Sequence, residues 1–321
     1  MREVVLAAIG GPENFTFRES PPPEPAQGKI RVRNNAIGVN FVDIYQRRGL
    51  YPVDLPCVLG EEGAGVVAAA GEGTPFIAGD RVAYLSGSGA YAEETIVDAA
   101  RAARIPTGLS DETAAAAFLK GLTVQMLLRQ VYPLNAGETA LVTAAAGGVG
   151  TLLCQWAAHI GARVIAIVGD AKKVPAAKGN GAHDVIDRSA THDTAGAVRA
   201  LTGGRGVDVV YDSVGAATFE ASLDSLALRG MMVTYGNASG PVPPFSPLEL
   251  TRRGSLSLAR PSLFHYATPD RLPAMASELF DLLERGVLKP TIAATFKLDD
   301  VADAHRLLES GKSVGAILLK P

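Results

Sequence analysis

The chain has 321 residues, of which 47% are hydrophobic and 20% are charged, and its net charge at pH 7 is −3. This length and composition predict a globular protein of about two domains with a large core. Lys and Arg are scattered, which excludes a basic surface for nucleic acid or an anionic membrane, and no apolar run is long enough for a membrane span.

The two cysteines, Cys57 and Cys154, lie far apart in the chain. This spacing excludes a disulfide scaffold and is typical of a protein from a reducing compartment. The opening segment, REVVLAAIG, predicts a strand and not a signal peptide. We therefore expect a cytoplasmic location.

Short strand-like runs separated by turn residues dominate residues 1 to about 120. The most regular of them are KIRVRNNAIGV, GAGVVAAAG, DRVAYL and AYAEETIV. Their close spacing predicts an antiparallel or barrel-like module.

From DETAAAAFLKGLTVQMLLRQV onwards the pattern becomes helical, and strand-like runs then recur about every 20 to 25 residues. These runs are TALVTA, ARVIAIV, HDVIDR, VDVVYDS, GMMVTYG and SLSLAR. The alternation predicts βαβ units and a parallel sheet with helices on both faces. The final SVGAILLK is expected to return a strand to the first module.

A glycine-rich turn follows the first of these strands, in LVTAAAGGVGTLLCQWAAHIGA. A dinucleotide turn needs small residues at three positions, for the tight turn, for the approach of the pyrophosphate and for helix packing. Ala145, Gly147 and Gly150 occupy these positions, and an alanine suits the first one if its φ is negative. The helix is predicted from about Gly148 to Gly161. The alternative is a glycine-rich turn that binds no ligand.

The residues after the second and third strands bear on the choice of nucleotide. The second strand ends at Gly169, and Asp170 follows, where an acid would accept hydrogen bonds from the ribose 2′-OH of NAD. Asp170 could instead point to solvent or cap the next helix. Lys172, Lys173 and Arg188 offer cations to a 2′-phosphate, although a lysine at a solvated helix start is also common. The charges favour NADPH over NADH.

Six segments together resemble one family. They are NNAIGVNFVDIYQRRGLYP, GAYAEETIV, AAAAFLKGLTVQMLL, AAAGGVGTLLCQWA, VDVVYDSVG and YGNASG. In this order they resemble the zinc-independent quinone oxidoreductases of the medium-chain dehydrogenase/reductase superfamily. The resemblance implies an α/β protein with a GroES-like β-barrel catalytic domain, residues 1–122 completed by 266–321. It also implies a doubly wound Rossmann nucleotide-binding domain, residues 123–265.

The resemblance also implies the site residues. Asn40 and Tyr45 are expected on the nicotinamide side as the catalytic pair, with the Tyr45 hydroxyl as a hydrogen-bond donor or only a packing group. Thr123 is expected to begin the helix of the second domain and to contact the nicotinamide ribose. The other expected cofactor contacts are Ala146, Gly147, Gly148, Val149, Gly150, Gly169, Lys173, Arg188, Val214, Gly236, Asn237, Arg260 and Gly315.

Zinc-containing members of the superfamily hold their metal with cysteine and histidine ligands, the donors that zinc prefers. In this chain Asp43 stands where those enzymes have the first catalytic cysteine, and Gly60-Glu61-Glu62 replaces Gly-His-Glu. No cysteine cluster is present, and all five histidines are interpreted as non-ligands. We therefore expect a metal-free site in which Asp43 supports a polar network. Glu61 departs from the small polar residue that is usual in the family.

The leading hypothesis is an NADPH-dependent quinone reductase that transfers hydride without a metal. One alternative is an enzyme that reduces the C=C bond of an enone or alkenal with the same cofactor site. Another is an NADPH-binding structural or RNA-binding protein with little turnover. The expected partners are a quinone or another small electrophilic acceptor, and a second copy of the chain. An exposed edge strand near residues 254–259 would join the two sheets of such a homodimer.

Overall fold

The computed structural model describes residues 1–321, and the chain divides into two compact units. Unit 1 comprises Met1–Leu122, Ala267–Gly286 and Pro290–Pro321, and unit 2 comprises Thr123–Tyr266 and Val287–Lys289. Strands and helices are numbered below in chain order across both units. None of the helices combines the length and the apolar character needed to cross a membrane.

Unit 1 is built mainly of strands. These strands are β1 (Arg2–Leu6), β2 (Phe15–Glu19), β3 (Lys29–Val39), β4 (Cys57–Val58), β5 (Glu62–Ala70), β6 (Arg81–Leu85), β7 (Glu94–Asp98), β8 (Ala102–Arg104), β15 (Ile292–Lys297) and β16 (Ala316–Lys320). Its helices are α1 (Phe41–Arg47), α2 (Asp111–Gln125, which runs across the unit boundary), α9 (Leu272–Glu284) and α10 (Val301–Glu309).

The main sheet of unit 1 has seven strands, in the order β15-β16-β3-β5-β6-β8, with β7 also paired to β3. A smaller sheet has the order β2-β1-β4. The long strand β3 organises the main sheet, and its alternate residues Ile30 and Val32 are buried in the core. Strand β16 pairs antiparallel with β3, Ile317 opposite Val39. The predicted return of the C-terminal strand to the first module is therefore confirmed.

Unit 2 contains six strands and most of the remaining helices. The strands are β9 (Thr139–Val142), β10 (Arg163–Val168), β11 (Asp184–Asp187), β12 (Val207–Asp212), β13 (Leu226–Thr234) and β14 (Ser257–Ala259). The helices are α3 (Gly148–Ile160), α4 (Val174–Gly179), α5 (Thr194–Leu201), α6 (Phe219–Asp224), α7 (Leu248–Arg252) and α8 (Leu263–Tyr266).

The six strands of unit 2 form one parallel sheet in the order β11-β10-β9-β12-β13-β14. Each of the predicted strand-like runs forms a strand. Hydrophobic residues fill most of β9, β10 and β12, as burial on both faces requires, whereas the edge strands β11 and β14 also carry polar residues. The order reverses at β9, and ligands of such sheets bind outside the carboxyl ends of the strands at this point. The predicted doubly wound Rossmann fold is confirmed.

One local prediction is wrong, because Thr123 does not begin a helix. It lies near the end of α2, which starts at Asp111 after Ser110 accepts a hydrogen bond from the N–H of Thr113 at 3.1 Å. The alanine run in this segment favours one continuous helix. Gly121 does not interrupt it, since a Cβ there would meet Leu279 Cδ1 at 2.4 Å, so that the glycine serves close packing.

Candidate active site

The turn after β9 accommodates an alanine at the first of the three positions that need small residues. The φ of Ala145 is not positive, which meets the condition for an alanine at this position. Its N–H donates to Ile167 O at 3.1 Å. The left-handed conformation falls one residue earlier, on exposed Ala144, whose φ is 46°. An alanine side chain in this region costs about 1 kcal/mol, so the turn is under mild strain.

Helix α3 begins immediately after this turn and lies very close to it. A Cβ at Gly150 would lie 2.4 Å from Ala144 O, and one at Gly147 would lie 3.2 Å from the same oxygen. The helix starts at Gly148 and is stopped by Gly161, whose φ is 93°. The first N–H groups of a helix have no acceptor within it and can bind a phosphate. The turn therefore fits the pyrophosphate of a dinucleotide.

Most of the predicted cofactor residues follow directly on the strands of the parallel sheet. Ala146, Gly147, Gly148, Val149 and Gly150 come after β9, Gly169 after β10, Arg188 after β11, Val214 after β12, Gly236 and Asn237 after β13, and Arg260 after β14. In a parallel sheet all of these ends lie along one edge. The fold thus brings residues from six separate chain segments to the same edge.

A buried carboxylate that the sequence reasoning missed fixes the loop after β12. Asp212 is fully buried and accepts four hydrogen bonds, from the N–H groups of Val214 and Gly215 and from the hydroxyls of Thr218 and Ser222, at 2.6 to 2.9 Å. Hydrogen bonds to a buried charge are among the stronger ones in proteins. The Asp-Ser-Val-Gly sequence is typical of a turn closed by an aspartate, which is the signal that could have identified it.

The loops after β12, β13 and β14 are packed against one another. A Cβ at Gly236 would lie 2.3 Å from Ser213 O, so that only glycine allows this approach. Arg260 donates from Nη1 to Gly236 O at 3.0 Å and to Thr234 Oγ1 at 3.3 Å. Arg260 therefore connects the end of β14 to the end of β13.

The charged residues after β10 and β11 separate into a cap and a pair of cations. Asp170 accepts a hydrogen bond from the N–H of Lys172 at 2.8 Å and caps the short helical turn 171–173. Of the three alternatives for Asp170, the structure shows the capping role. Lys173 is half-buried, and this burial lowers its pKa while the charge of Asp170 acts in the opposite direction. Arg188 contacts Ala217 O at 3.4 Å.

Asn40, Tyr45 and Gly315 lie in unit 1. Asn40 precedes α1, and its Nδ2 donates to Glu62 Oε1 at 3.0 Å and to Gly38 O at 3.3 Å. A Cβ at Gly38 would lie 2.2 Å from Glu62 Oε1, so the glycine makes room for this carboxylate. Gly315 directly precedes β16, and it lies at the same end of the β3–β16 pair as Asn40.

Glu62 is itself held by two groups of α2. Its Oε1 accepts from Lys120 Nζ at 2.7 Å, and its Oε2 accepts from the N–H of Leu119 at 2.7 Å. Both side chains of the ion pair are buried, 0% exposed for Glu62 and 5% for Lys120. Loss of one partner from such a pair leaves an uncompensated charge in the interior. Glu62 therefore fixes the side-chain orientation of Asn40.

Tyr45 is 8% exposed and packs within an aromatic group. Its ring lies edge-on to Tyr51, with 5.2 Å between the centroids, and tilted against Phe41 at 6.0 Å. This packing fixes the orientation of the Tyr45 ring on α1, the helix that begins directly after Asn40.

Asp43 is fully buried in a polar network, as the sequence predicted. Its Oδ2 accepts from the N–H of Asn40 at 2.7 Å and from the Tyr91 hydroxyl at 2.8 Å. The Tyr91 hydroxyl also contacts His305 Nε2 at 3.0 Å. Burial raises the pKa of Asp43 to about 8, and the negative charge of Glu61 adds to this increase. The sequence reasoning missed Tyr91 and His305 because both are distant in the chain.

Glu61, which the family resemblance singled out, is 2% exposed, and its Oε1 accepts from Gln46 Nε2 at 2.7 Å. Burial raises its pKa. No group of three or more His, Cys, Asp or Glu side chains is arranged to hold a metal ion.

Two family models match the chain. The model described as alcohol dehydrogenase GroES-like domain matches residues 26–107, and the model described as zinc-binding dehydrogenase matches residues 148–281. A barrel of the first kind and a Rossmann sheet of the second define an oxidoreductase of the medium-chain dehydrogenase/reductase superfamily.

Similar proteins narrow this class. The quinone oxidoreductase of Pseudomonas aeruginosa is 48% identical, over 100% of this chain and 99% of its own. The 2-haloacrylate reductase of a Burkholderia species is 42% identical, over 99% of both chains. The solved structure of Escherichia coli quinone oxidoreductase complexed with NADPH has a TM-score of 0.98 at 44% identity and covers 100% of both chains. The chain belongs to the quinone oxidoreductase family, as its sequence motifs predicted.

The close approach of α3 generates a first prediction. Gly150→Ala should lower the free energy of unfolding by about 1–3 kcal/mol, because the new methyl group overlaps a backbone oxygen that cannot move freely. Gly179→Ala is the matched control, since this exposed helical glycine has nothing within 4 Å of an added Cβ. Thermal and urea unfolding of both variants measure the difference. Equal stability of the Gly150 variant and the unmodified protein would contradict the packing argument.

Proposed function

We propose that the protein reduces quinones with NADPH and without zinc. The observation that carries this proposal is the convergence of six loops, including a turn that fits pyrophosphate, on one edge of the Rossmann sheet. The names of the similar quinone oxidoreductases, one of them solved with NADPH, support the same activity. The acidic residues Asp43 and Glu61, in place of the cysteine and histidine that zinc prefers, support zinc independence.

The residues of unit 2 suit the binding of a phosphorylated dinucleotide. Gly147 allows the pyrophosphate to approach the start of α3, and Gly150 allows α3 to pack closely on the turn. Lys173 and Arg188 supply cations for a 2′-phosphate. A guanidinium can pair with phosphate through two parallel hydrogen bonds. When bound, NADPH supplies the hydride that reduces the acceptor.

The residues of unit 1 are proposed to orient the reactants. Asn40 is held by Glu62 and is proposed to contact the nicotinamide, and Tyr45 is proposed to offer its hydroxyl. In this proposal the hydroxyl donates a hydrogen bond to the acceptor oxygen as negative charge develops on it, which is a common mode of transition-state stabilisation. A quinone is a good hydride acceptor, so that positioning and water exclusion supply most of the remaining rate increase.

A substrate panel tests the reaction class. NADPH oxidation should be followed with benzoquinones and naphthoquinones, and in parallel with enones, alkenals and 2-haloacrylates. We expect quinones to give the higher kcat/KM. The similarity to 2-haloacrylate reductase makes C=C reduction the second candidate, which a preference for the alkenes would establish. Binding of NADPH with turnover of no acceptor would instead favour a structural or RNA-binding role.

Cofactor choice is tested by removing the two proposed phosphate partners. The double variant Lys173→Ala/Arg188→Ala should weaken NADPH far more than NADH, because each charge-assisted hydrogen bond contributes about 1.5–3 kcal/mol. Dissociation constants for both cofactors, measured by calorimetry, give the comparison. Lys297→Ala is the control, since Lys297 is exposed but lies in unit 1. An equal loss for NADPH and NADH would remove these residues from the 2′-phosphate site.

We further propose a cytoplasmic homodimer. Both cysteines are free thiols, which suits a reducing compartment. Strand β14 is an edge of the parallel sheet and is paired on only one side. A Cβ at Gly254, close before it, would lie 2.6 Å from Cδ2 of Leu228, which is 81% exposed. Unpaired edges and exposed apolar side chains are commonly covered by a partner, and here a second copy would join the two sheets near residues 254–259.

Sedimentation tests the assembly. The unmodified protein should sediment as a dimer at micromolar concentration, and Leu228→Arg should shift it towards the monomer, because a charge would be buried at the joint. Ile77→Arg is the control, since Ile77 is 70% exposed but lies in unit 1. A monomeric unmodified protein would exclude the dimer, and a dimer that resists Leu228→Arg would place its interface elsewhere.

A further inference from the structure

Two polar residues of α1 and two of α10 are joined with the same spacing on each helix. Asp43 and Arg47 are four residues apart on α1, and His305 and Glu309 are four residues apart on α10. Residues with this spacing lie on one face of a helix, one turn apart. Asp43 is connected to His305, and Arg47 is connected to Glu309. Two links one turn apart therefore join the helices.

The first link is a buried chain of hydrogen bonds through Tyr91. Its hydroxyl donates to Asp43 Oδ2 at 2.8 Å and lies 3.0 Å from His305 Nε2. All three residues are 0% exposed, so a polar group that lost its partner here would remain buried and unsatisfied. The His305 ring packs edge-on against two other rings, with centroid distances of 5.0 Å to Phe15 and 5.7 Å to Tyr91. This packing fixes the histidine end of the link.

The second link is an ion pair between Arg47 and Glu309. Arg47 Nη2 donates to Glu309 Oε1 at 2.5 Å, and Arg47 Nη1 donates to Gly10 O at 3.0 Å. The side chain of Arg47 is 1% exposed, and that of Glu309 is 15% exposed. Removal of one partner from such a pair leaves the other charge uncompensated in the interior, at a large cost in free energy. The pair therefore resists separation of the two helices at the end of α1.

Helix α10 can serve as the fixed support for both links because it connects two paired strands. It joins β15 to β16, which are parallel neighbours in the main sheet, and its residues Val301 and Ala304 are buried in the core. Strand β16 in turn pairs with β3, which ends at Val39. Only Asn40 separates Val39 from α1. The C-terminal segment therefore holds α1 both through a strand and through a helix.

Tyr45 lies midway between the two linked residues of α1 and projects from nearly the opposite face of the helix. A rotation or a shift of α1 would therefore displace its hydroxyl. One link alone could act as a pivot, whereas two links one turn apart oppose both movements.

We propose that four residues act as positioning residues, which lock the rotation and register of α1 and thereby fix the Tyr45 hydroxyl. They are Arg47, Tyr91, His305 and Glu309. This inference rests on the proposed function, in which the Tyr45 hydroxyl meets the acceptor oxygen. It assigns a part in the reaction to side chains that lie behind the reacting groups and do not touch them.

Hydrogen exchange tests the lock without any substrate. His305→Leu should speed exchange of the α1 amides about tenfold or more, because the buried Tyr91 hydroxyl loses a partner and α1 opens more readily. His305→Gln should restore slow exchange, since its amide can meet this hydroxyl as donor or as acceptor. Asp303→Asn is the matched control on the same helix, because Asp303 forms an exposed pair with Arg306. Unchanged exchange of α1 in His305→Leu would overturn the proposal.

Glu309→Gln tests the second link and leaves the centre of the core unaltered. The amide keeps an oxygen for Arg47 but removes the counter-charge of the buried guanidinium, so α1 should again exchange faster than in the unmodified protein. Exchange as slow as in the unmodified protein would overturn the arrangement of two links. This variant also decides the proposal if His305→Leu does not fold.

Single-turnover kinetics separate positioning from stability. With enzyme in excess over NADPH and a quinone present, the decay of NADPH absorbance gives a rate constant and an amplitude. A merely structural role would lower the amplitude, which counts folded enzyme, and leave the rate constant unchanged. The rate constant should instead fall by about tenfold to hundredfold in His305→Leu and in Glu309→Gln, since a displacement of about 1 Å has effects of this order. It should recover in His305→Gln and stay unchanged in Asp303→Asn.

The two proposals fail in different ways. If the unmodified protein turns over no quinone, the proposed function is refuted and the positioning role is refuted with it, whereas the faster exchange of α1 in the variants remains. If the unmodified protein reduces quinones and the variants keep its rate constant, only the positioning role is refuted.

Discussion

The position of α3 against the turn after β9 is the constraint on which unit 2 depends. The turn oxygen Ala144 O leaves no space for a side chain at Gly150, so that helix and strand approach as closely as backbone atoms allow. This approach fixes the direction of the first N–H groups of the helix. Because β9 is the strand at which the sheet order reverses, the close approach of α3 also fixes these N–H groups relative to the loops that follow the neighbouring strands.

Buried carboxylates hold the two groups of candidate site residues in place. Asp212 orders the loop containing Val214 through four hydrogen bonds, and Glu62 orders Asn40 while it pairs with Lys120. Each acid is satisfied by donors from its surroundings, which limits the cost of its burial. The residues proposed to meet the cofactor are thus positioned by side chains that lie behind them.

Asp43 and Glu61 differ from these satisfied acids, and the difference explains their raised pKa values. Neither forms a hydrogen-bonded ion pair like that of Glu62 with Lys120, and each retains one buried oxygen without a donor. In a low-dielectric interior the charged form of such a group is disfavoured. The same fold therefore contains two kinds of buried acid, one whose oxygens are bound by a lysine or by several donors and the other with a buried oxygen that has no donor.

The sequence by itself determined the class of fold and most of the nucleotide edge. Strand-like runs that recur about every 20 to 25 residues identified the six strands. The carboxyl ends of parallel strands lie along one edge of a sheet, so that the strand pattern alone places Gly147, Arg188 and Arg260 at that edge. Only the tertiary structure decided which polar side chains meet. Tyr91 and His305, which meet beside Asp43, are 214 residues apart in the chain, and no periodicity predicts their contact. Hydrophobic pattern is a local property of the chain, whereas the partner and protonation of a buried acid depend on which distant segments the fold packs around it.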